Sequence, residues 1–145
     1  MATSHSTGTQ QELEVRSAIE RWAKAVRNHD REGILADHDP DIVMFDVPPP
    51  ERLKGLQEYA GTWDLFFRWH RPGDAFDVRD MDVTAGDTVA FAAVLMHCSG
   101  TNAKGEHNEL DFRLTVGLKN VGGRWRIIHE HHSVPVSPKS VNTDA

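Results

Sequence analysis

The sequence predicts an α+β fold: helices packed on one face of a curved antiparallel sheet. Two observations carry this. Apolar residues recur at helical spacing in the first half of the chain and alternate in long runs in the second half. Short turn segments join those later runs, so helices come first and a meander of strands follows, which is the α+β order.

Residues 1–8 are polar and are expected to be disordered. The first helix starts at TQQE, where Thr9 and Glu12 have the spacing of a capping box. Val15, Ala18, Ile19, Trp22 and Val26 then form one apolar face. NHD interrupts it, and Asp30 is placed to cap a short second helix, REGILADH, stopped by Asp39-Pro40. DIVMFDV reads as a short strand, and PPPERLKG as a loop, since three prolines forbid a helix interior or a central strand. The third helix carries Leu56, Tyr59, Ala60, Trp63, Phe66, Phe67 and His70 on one stripe and ends at RPG. His70 is expected near its C-terminus, where the helix dipole favours a positive ring.

In AFDVRDMDV the apolar phase slips between Val78 and Met81, which predicts a bulge. AGDT makes a hairpin turn. TVAFAAVLMHCS is apolar on both faces and so reads as a central strand. The loop TNAKGEH, the strand NELDFRLTVGLKN, the turn VGG and the strand RWRIIHEHHSVPV complete the meander, and the tail from Ser137 is expected to be flexible. One domain over residues 9–136 is the organisation expected.

The 145 residues carry a net charge of -6, with no basic run, which argues against a nucleic-acid partner. No apolar stretch approaches the length of a membrane span, and the first residues lack the pattern of a signal peptide. Cys98 is the one cysteine, which excludes an internal disulfide and a zinc-finger framework. A cytoplasmic location follows by default.

Strand alternation sorts the candidate site residues. On NELDFRLTVGLKN, Leu110, Phe112, Leu114, Val116 and Leu118 share one face; Glu109, Asp111, Arg113, Thr115 and Lys119 share the other. On an unbroken last strand, Trp125, Ile127, His129, His131 and Ser133 share one face, and Arg126, Ile128, Glu130, His132 and Val134 the other. A bulge there would exchange His131 for His132, because a one-residue slip flips every later side chain. A pocket between the helices and the sheet is expected to be apolar with a few placed polar groups. Asp46 is the leading inward carboxylate, or else the turn residue that opens the proline loop. Arg113 is either its charge partner or an outward, solvated cation. His131 is either a general base or a structural histidine bonded to backbone. His97 either faces the same cavity or is exposed.

The segment from Asp46 to Gly55, the run Arg113-Leu114-Thr115-Val116, the closing stretch Gly123-Arg124-Trp125-Arg126-Ile127-Ile128, and His131 with Ser133 carry a resemblance. Over roughly residues 10–136 the chain resembles the SnoaL-like, ketosteroid-isomerase-like branch of the nuclear transport factor 2 superfamily. The resemblance implies a cone-shaped fold with three N-terminal helices on the sheet, a deep pocket, and homodimers through the exposed sheet face. Asp46 falls about where ketosteroid isomerases keep their general base. Their first-helix tyrosine has no counterpart: Trp22 is the aromatic residue there, and Tyr59 lies on the third helix. SnoaL-type cyclases carry an acidic residue on the last strand, where His129 and His131 are the residues expected here.

Three functions compete. One is a cofactor-independent acid–base enzyme of isomerase, cyclase or hydratase type acting on a small apolar or aromatic molecule. Asp46 or His131 would be its base, with Arg113 and Trp63 orienting the ligand and Trp22, Tyr59, His97, Asp111 and His129 lining the pocket. The second is a non-catalytic ligand-binding or association domain forming homodimers, with a buried Arg113–Asp46 pair. The third is a metal site from His129 and His131 with His97 or Asp111. No phosphate-binding spacing implies a nucleotide cofactor, and no cofactor or metal is expected.

Overall fold

The computed structural model describes residues 8–136. The expectations for residues 1–8, save Gly8, and for the tail 137–145 fall outside the described residues.

Thr9 opens α1 (Gln10–Arg27): its side chain accepts from the Glu12 N–H while the Glu12 carboxylate accepts from the Thr9 N–H, a complete capping box. The apolar face of α1 buries Val15, Ala18, Ile19, Trp22 and Val26. His29 closes the helix with φ 55, a left-handed backbone rare outside glycine and asparagine. Asp30 then caps α2 (Arg31–Leu35) by accepting from the Gly33 N–H. This helix is shorter than predicted, because the chain turns into β1 (His38–Phe45) before Pro40 rather than after it. After the proline loop come a two-residue strand, β2 (Leu53–Lys54), and α3 (Leu56–Phe66).

The meander is β3 (Phe76–Ala85), β4 (Val89–Thr101), β5 (His107–Val121) and β6 (Arg124–Ser133). Together the six strands form one sheet in the order β2-β1-β6-β5-β4-β3. The fold is the α+β cone expected, with three helices over a curved sheet. The sheet departs from pure antiparallel pairing at one place: β1 runs parallel to β6. The slip predicted in β3 is present, as a register shift between Val78 and Asp80.

A second shift, between Gly117 and Leu118 on β5, matters more. Gly117 faces His129 and Leu118 faces Ile127, so Ile128 is the extra residue of a bulge in β6. Before it, Trp125 and Ile127 face the core; after it, Glu130 and His132 do. His129 and His131 therefore lie on the outer face of the sheet, contrary to the unbroken-strand reading.

Elsewhere, His70 is not a charged helix cap. It is fully buried beyond the end of α3, donating from Nε2 to the Asp74 carbonyl (2.9 Å). Its Nδ1 accepts from His29 Nε2 (2.9 Å), which ties the end of α1 to the turn after α3. Burial is the main cause that lowers the pKa of both rings, against the hydrogen bonds and the Asp74 charge, which raise it.

Candidate functional site

A cavity of about 290 Å³ opens between α3, the proline loop and the inner face of the sheet. Trp63 and Phe66 of α3, Trp69 beyond it, Phe76 of β3 and Phe112 of β5 supply aromatic walls. Met44, Cys98 and Leu110 add apolar surface, and Asp46 and His132 form the polar end. The volume sits at the lower edge of ordinary ligand pockets, which suits a small molecule. Trp69 can lie flat against β4 because Gly100 has no Cβ: one there would fall inside the indole. The Cys98 thiol is pushed up to about 12, chiefly by burial, so it is inert wall rather than nucleophile.

His132 is held from behind. Its Nε2 donates to Glu130 Oε1 at 2.9 Å, and its Nδ1 lies 3.9 Å from Asp46 Oδ1. Phe112 stacks on the ring at 5.5 Å between centroids. Glu130 is 1% exposed, yet its other oxygen accepts from His38 Nε2 (2.5 Å) and from the Tyr59 hydroxyl (2.8 Å). Trp22 Nε1 in turn donates to the Tyr59 oxygen (3.0 Å). Burial alone would raise the Glu130 carboxyl. His38 and His132 beside it, with the hydrogen bonds they donate, outweigh burial and bring it to about 2. The Tyr59 phenol is raised well above its ordinary value, by burial first and the Glu130 charge second, and so stays a donor. Two nitrogens in this region, His38 Nδ1 and Trp63 Nε1, are buried without a hydrogen-bond partner among the described residues.

The predicted site residues separate into three groups. Asp46 and Trp63 line the cavity. Trp22 and Tyr59 lie behind its polar end, in the layer that holds Glu130, and do not line it. His97, Asp111, Arg113, His129 and His131 lie on the opposite face of the sheet. There Arg113 Nε donates to the Ser133 hydroxyl (3.0 Å), so no Arg113–Asp46 pair exists. His97 donates to Asp111 (2.7 Å) and pairs with Glu109 (3.2 Å). His129 Nδ1 donates to the Val43 carbonyl (2.7 Å), and His131 is exposed beside Phe45. Among the described residues no group of three or more His, Cys, Asp or Glu side chains is placed to hold a metal ion.

Glu130, His132 and His38 are the site residues that the unbroken-strand reading left out. The adjacent apolar pair Ile127-Ile128 was the available sign of the slip that turns the first two inward. His38 had no such sign; its burial depends on the parallel pairing of β1 with β6.

A helix-covered sheet enclosing an apolar cavity with a histidine–carboxylate end defines a small pocket protein of the cone-shaped α+β class. The chain belongs to the SnoaL-like domain family, whose pattern matches residues 15–137. It is similar to a nuclear transport factor 2-like protein of unknown function from Pseudomonas putida, with 33% identity over 92% of each chain and a TM-score of 0.79. A ketosteroid isomerase-like protein from Erwinia carotovora atroseptica shares 19% identity over 90% of this chain and 100% of its own, with a TM-score of 0.75. The association domain of calcium/calmodulin-dependent protein kinase II from C. elegans shares 18% over 86% and 95%, with a TM-score of 0.68. These last two likenesses establish the fold alone. No curated protein matches the sequence.

Proposed function

We propose that the protein binds a small apolar or aromatic molecule in this cavity and moves a proton on it, in an isomerase-, cyclase- or hydratase-like reaction. His132 and Asp46 are the acid–base pair, and Glu130 orients His132. The carrying observation is that His132 gives Nε2 to a buried carboxylate and keeps Nδ1 at the cavity, 3.9 Å from Asp46. In the neutral ring this arrangement makes Nδ1 the acceptor, as a general base requires. Among the described residues Asp46 accepts only from the Val47 N–H, so it is available to shuttle the same proton.

The reading is tested by incubating the protein in D2O with small cyclic ketones that also carry a hydroxyl group and following exchange of the α-hydrogens by NMR. Exchange above the buffer rate is expected, falling by roughly a hundredfold or more in His132→Gln and in Asp46→Asn. Ketones that bind without exchanging would assign the cavity to binding alone.

A homodimer belongs to the same proposal, supported by an apolar strip on the outer face of β4. Val89, Phe91 and Leu95 are 59%, 52% and 39% exposed there, and beyond β5 the same face carries His129 and His131 of β6 and Phe45 of β1. An association role would use this face and needs nothing from the cavity. No helix among the described residues is long and apolar enough to cross a membrane. A cytoplasmic site of action is part of the proposal, supported by a single buried cysteine that needs no oxidising compartment.

A further inference from the structure

The polar end of the cavity is built from acceptors. Asp46 presents a carboxylate whose one hydrogen bond among the described residues is from the Val47 N–H. In its neutral ring His132 presents Nδ1 as an acceptor, because Nε2 is committed to Glu130. Thr62, also in the lining, spends its hydroxyl proton on the Tyr59 carbonyl (2.7 Å). The Trp63 indole N–H is unpartnered among the described residues, but it is buried and presents no surface to the cavity. No lysine or arginine lines the cavity among the described residues, and the other walls are apolar or aromatic. A ligand anion would therefore meet the Asp46 charge with no fixed cation to offset it, in a site too apolar to screen it. A ligand lacking any donor would leave Asp46 and Nδ1 desolvated and unpaired.

From this geometry we infer that the cavity selects a one- or two-ring apolar molecule carrying an O–H or N–H donor, and rejects its carboxylate counterpart. The donor enters the gap between Asp46 Oδ1 and His132 Nδ1, and the rings lie against Trp63, Phe66, Trp69 and Phe112. This rests on the cavity being the ligand site proposed above and names its ligand class. It does not need the proton-transfer step.

Isothermal titration of the full chain with 2-naphthol, 2-methoxynaphthalene and 2-naphthoate tests it. These probes share one ring system and differ in donor and charge. The naphthol is expected to bind at least about tenfold more tightly than either of the others, the size of one lost hydrogen bond to a charged acceptor. In Asp46→Asn the preference for naphthol over naphthoate is expected to shrink to about threefold or less, because the repelling charge is gone. His132→Phe, which keeps a ring beside Phe112, is expected to weaken naphthol and leave methoxynaphthalene nearly unchanged. Naphthoate binding as tightly as naphthol overturns the inference, as does a preference unchanged in both variants or no binding by any of the three. The outcomes stay separable from those of the catalytic reading. Selective naphthol binding with no ketone exchange keeps the ligand class and removes the proton transfer. Turnover of an anionic substrate does the reverse.

Discussion

Glu130 accepts three hydrogen bonds in a place with almost no solvent, where an unpaired charge would be strongly destabilising. Its folded pKa is lower than the unfolded one, so the sign is fixed. The carboxylate contributes stability above about 4.5 that is lost as the pH falls toward about 2. Melting followed by circular dichroism across that window is expected to show a steep fall in Tm for the native chain and a shallower one for Glu130→Gln. Truncation to Ala, which strands His38, His132 and Tyr59 together, is expected to cost about 3–5 kcal/mol at neutral pH. Asp46 is a different kind of carboxylate. It sits at the cavity with one weak local bond, and Asp46→Asn is expected to stay within about 0.5 kcal/mol of the native chain in the same melts. A carboxylate that affects the ligand more than the fold belongs to the site; one with the opposite profile belongs to its foundation.

At the scale of elements, the corner between α3 and β4 sets the cavity's size. The Trp69 carbonyl accepts from the Thr101 N–H (2.9 Å), and its indole occupies the space that Gly100 leaves. Gly100→Ala is expected to push the indole toward the cavity, costing about 1–3 kcal/mol of stability in urea titrations and weakening naphthol binding. Recovery of both in Gly100→Ala with Trp69→Leu would confirm that the indole is the clash. The strands also show which part of this site was readable beforehand. In β3, Val78 and Met81 must both face inward, two polar residues separate them, and the slip is visible. In β6 the extra residue is Ile128, next to Ile127, and two adjacent isoleucines satisfy a strand in either parity. The pair marks where a slip can fall without fixing that it does, and every assignment after it inverts: His129 and His131 leave the inner face, Glu130 and His132 join it, and of these His132 reaches the cavity. On β5 alternation alone separates Phe112 and Leu114 from Arg113, because no bulge intervenes before Gly117. Asp46 was legible because a carboxylate at the end of an apolar strand, ahead of three prolines, has few places to go. The burial of His38 was not, since it depends on a parallel pairing between residues about ninety positions apart.

At the scale of the whole molecule, the sheet separates two surfaces of opposite use. The inner face carries the cavity and its buried charges. The outer face carries the apolar strip of Val89, Phe91 and Leu95, bordered by Arg113 of β5, with His129 and His131 beyond it on β6. The sheet backbone separates them, so a change on one face should leave the other intact. Replacing Phe91 and Leu95 together by Asp is expected to convert a dimer into a monomer in sedimentation equilibrium, since two charges cannot be buried there unpaired. The same variant is expected to bind 2-naphthol within about twofold of the native chain, because neither residue approaches the cavity. Asp46→Asn should give the reverse, an unchanged mass and changed ligand selection. A native chain already monomeric at working concentration would leave the strip without its proposed partner and the cavity untouched. Naphthol affinity that collapsed with the dimer would instead mean that the partner subunit helps to shape the pocket, and the two faces would have to be treated as one site.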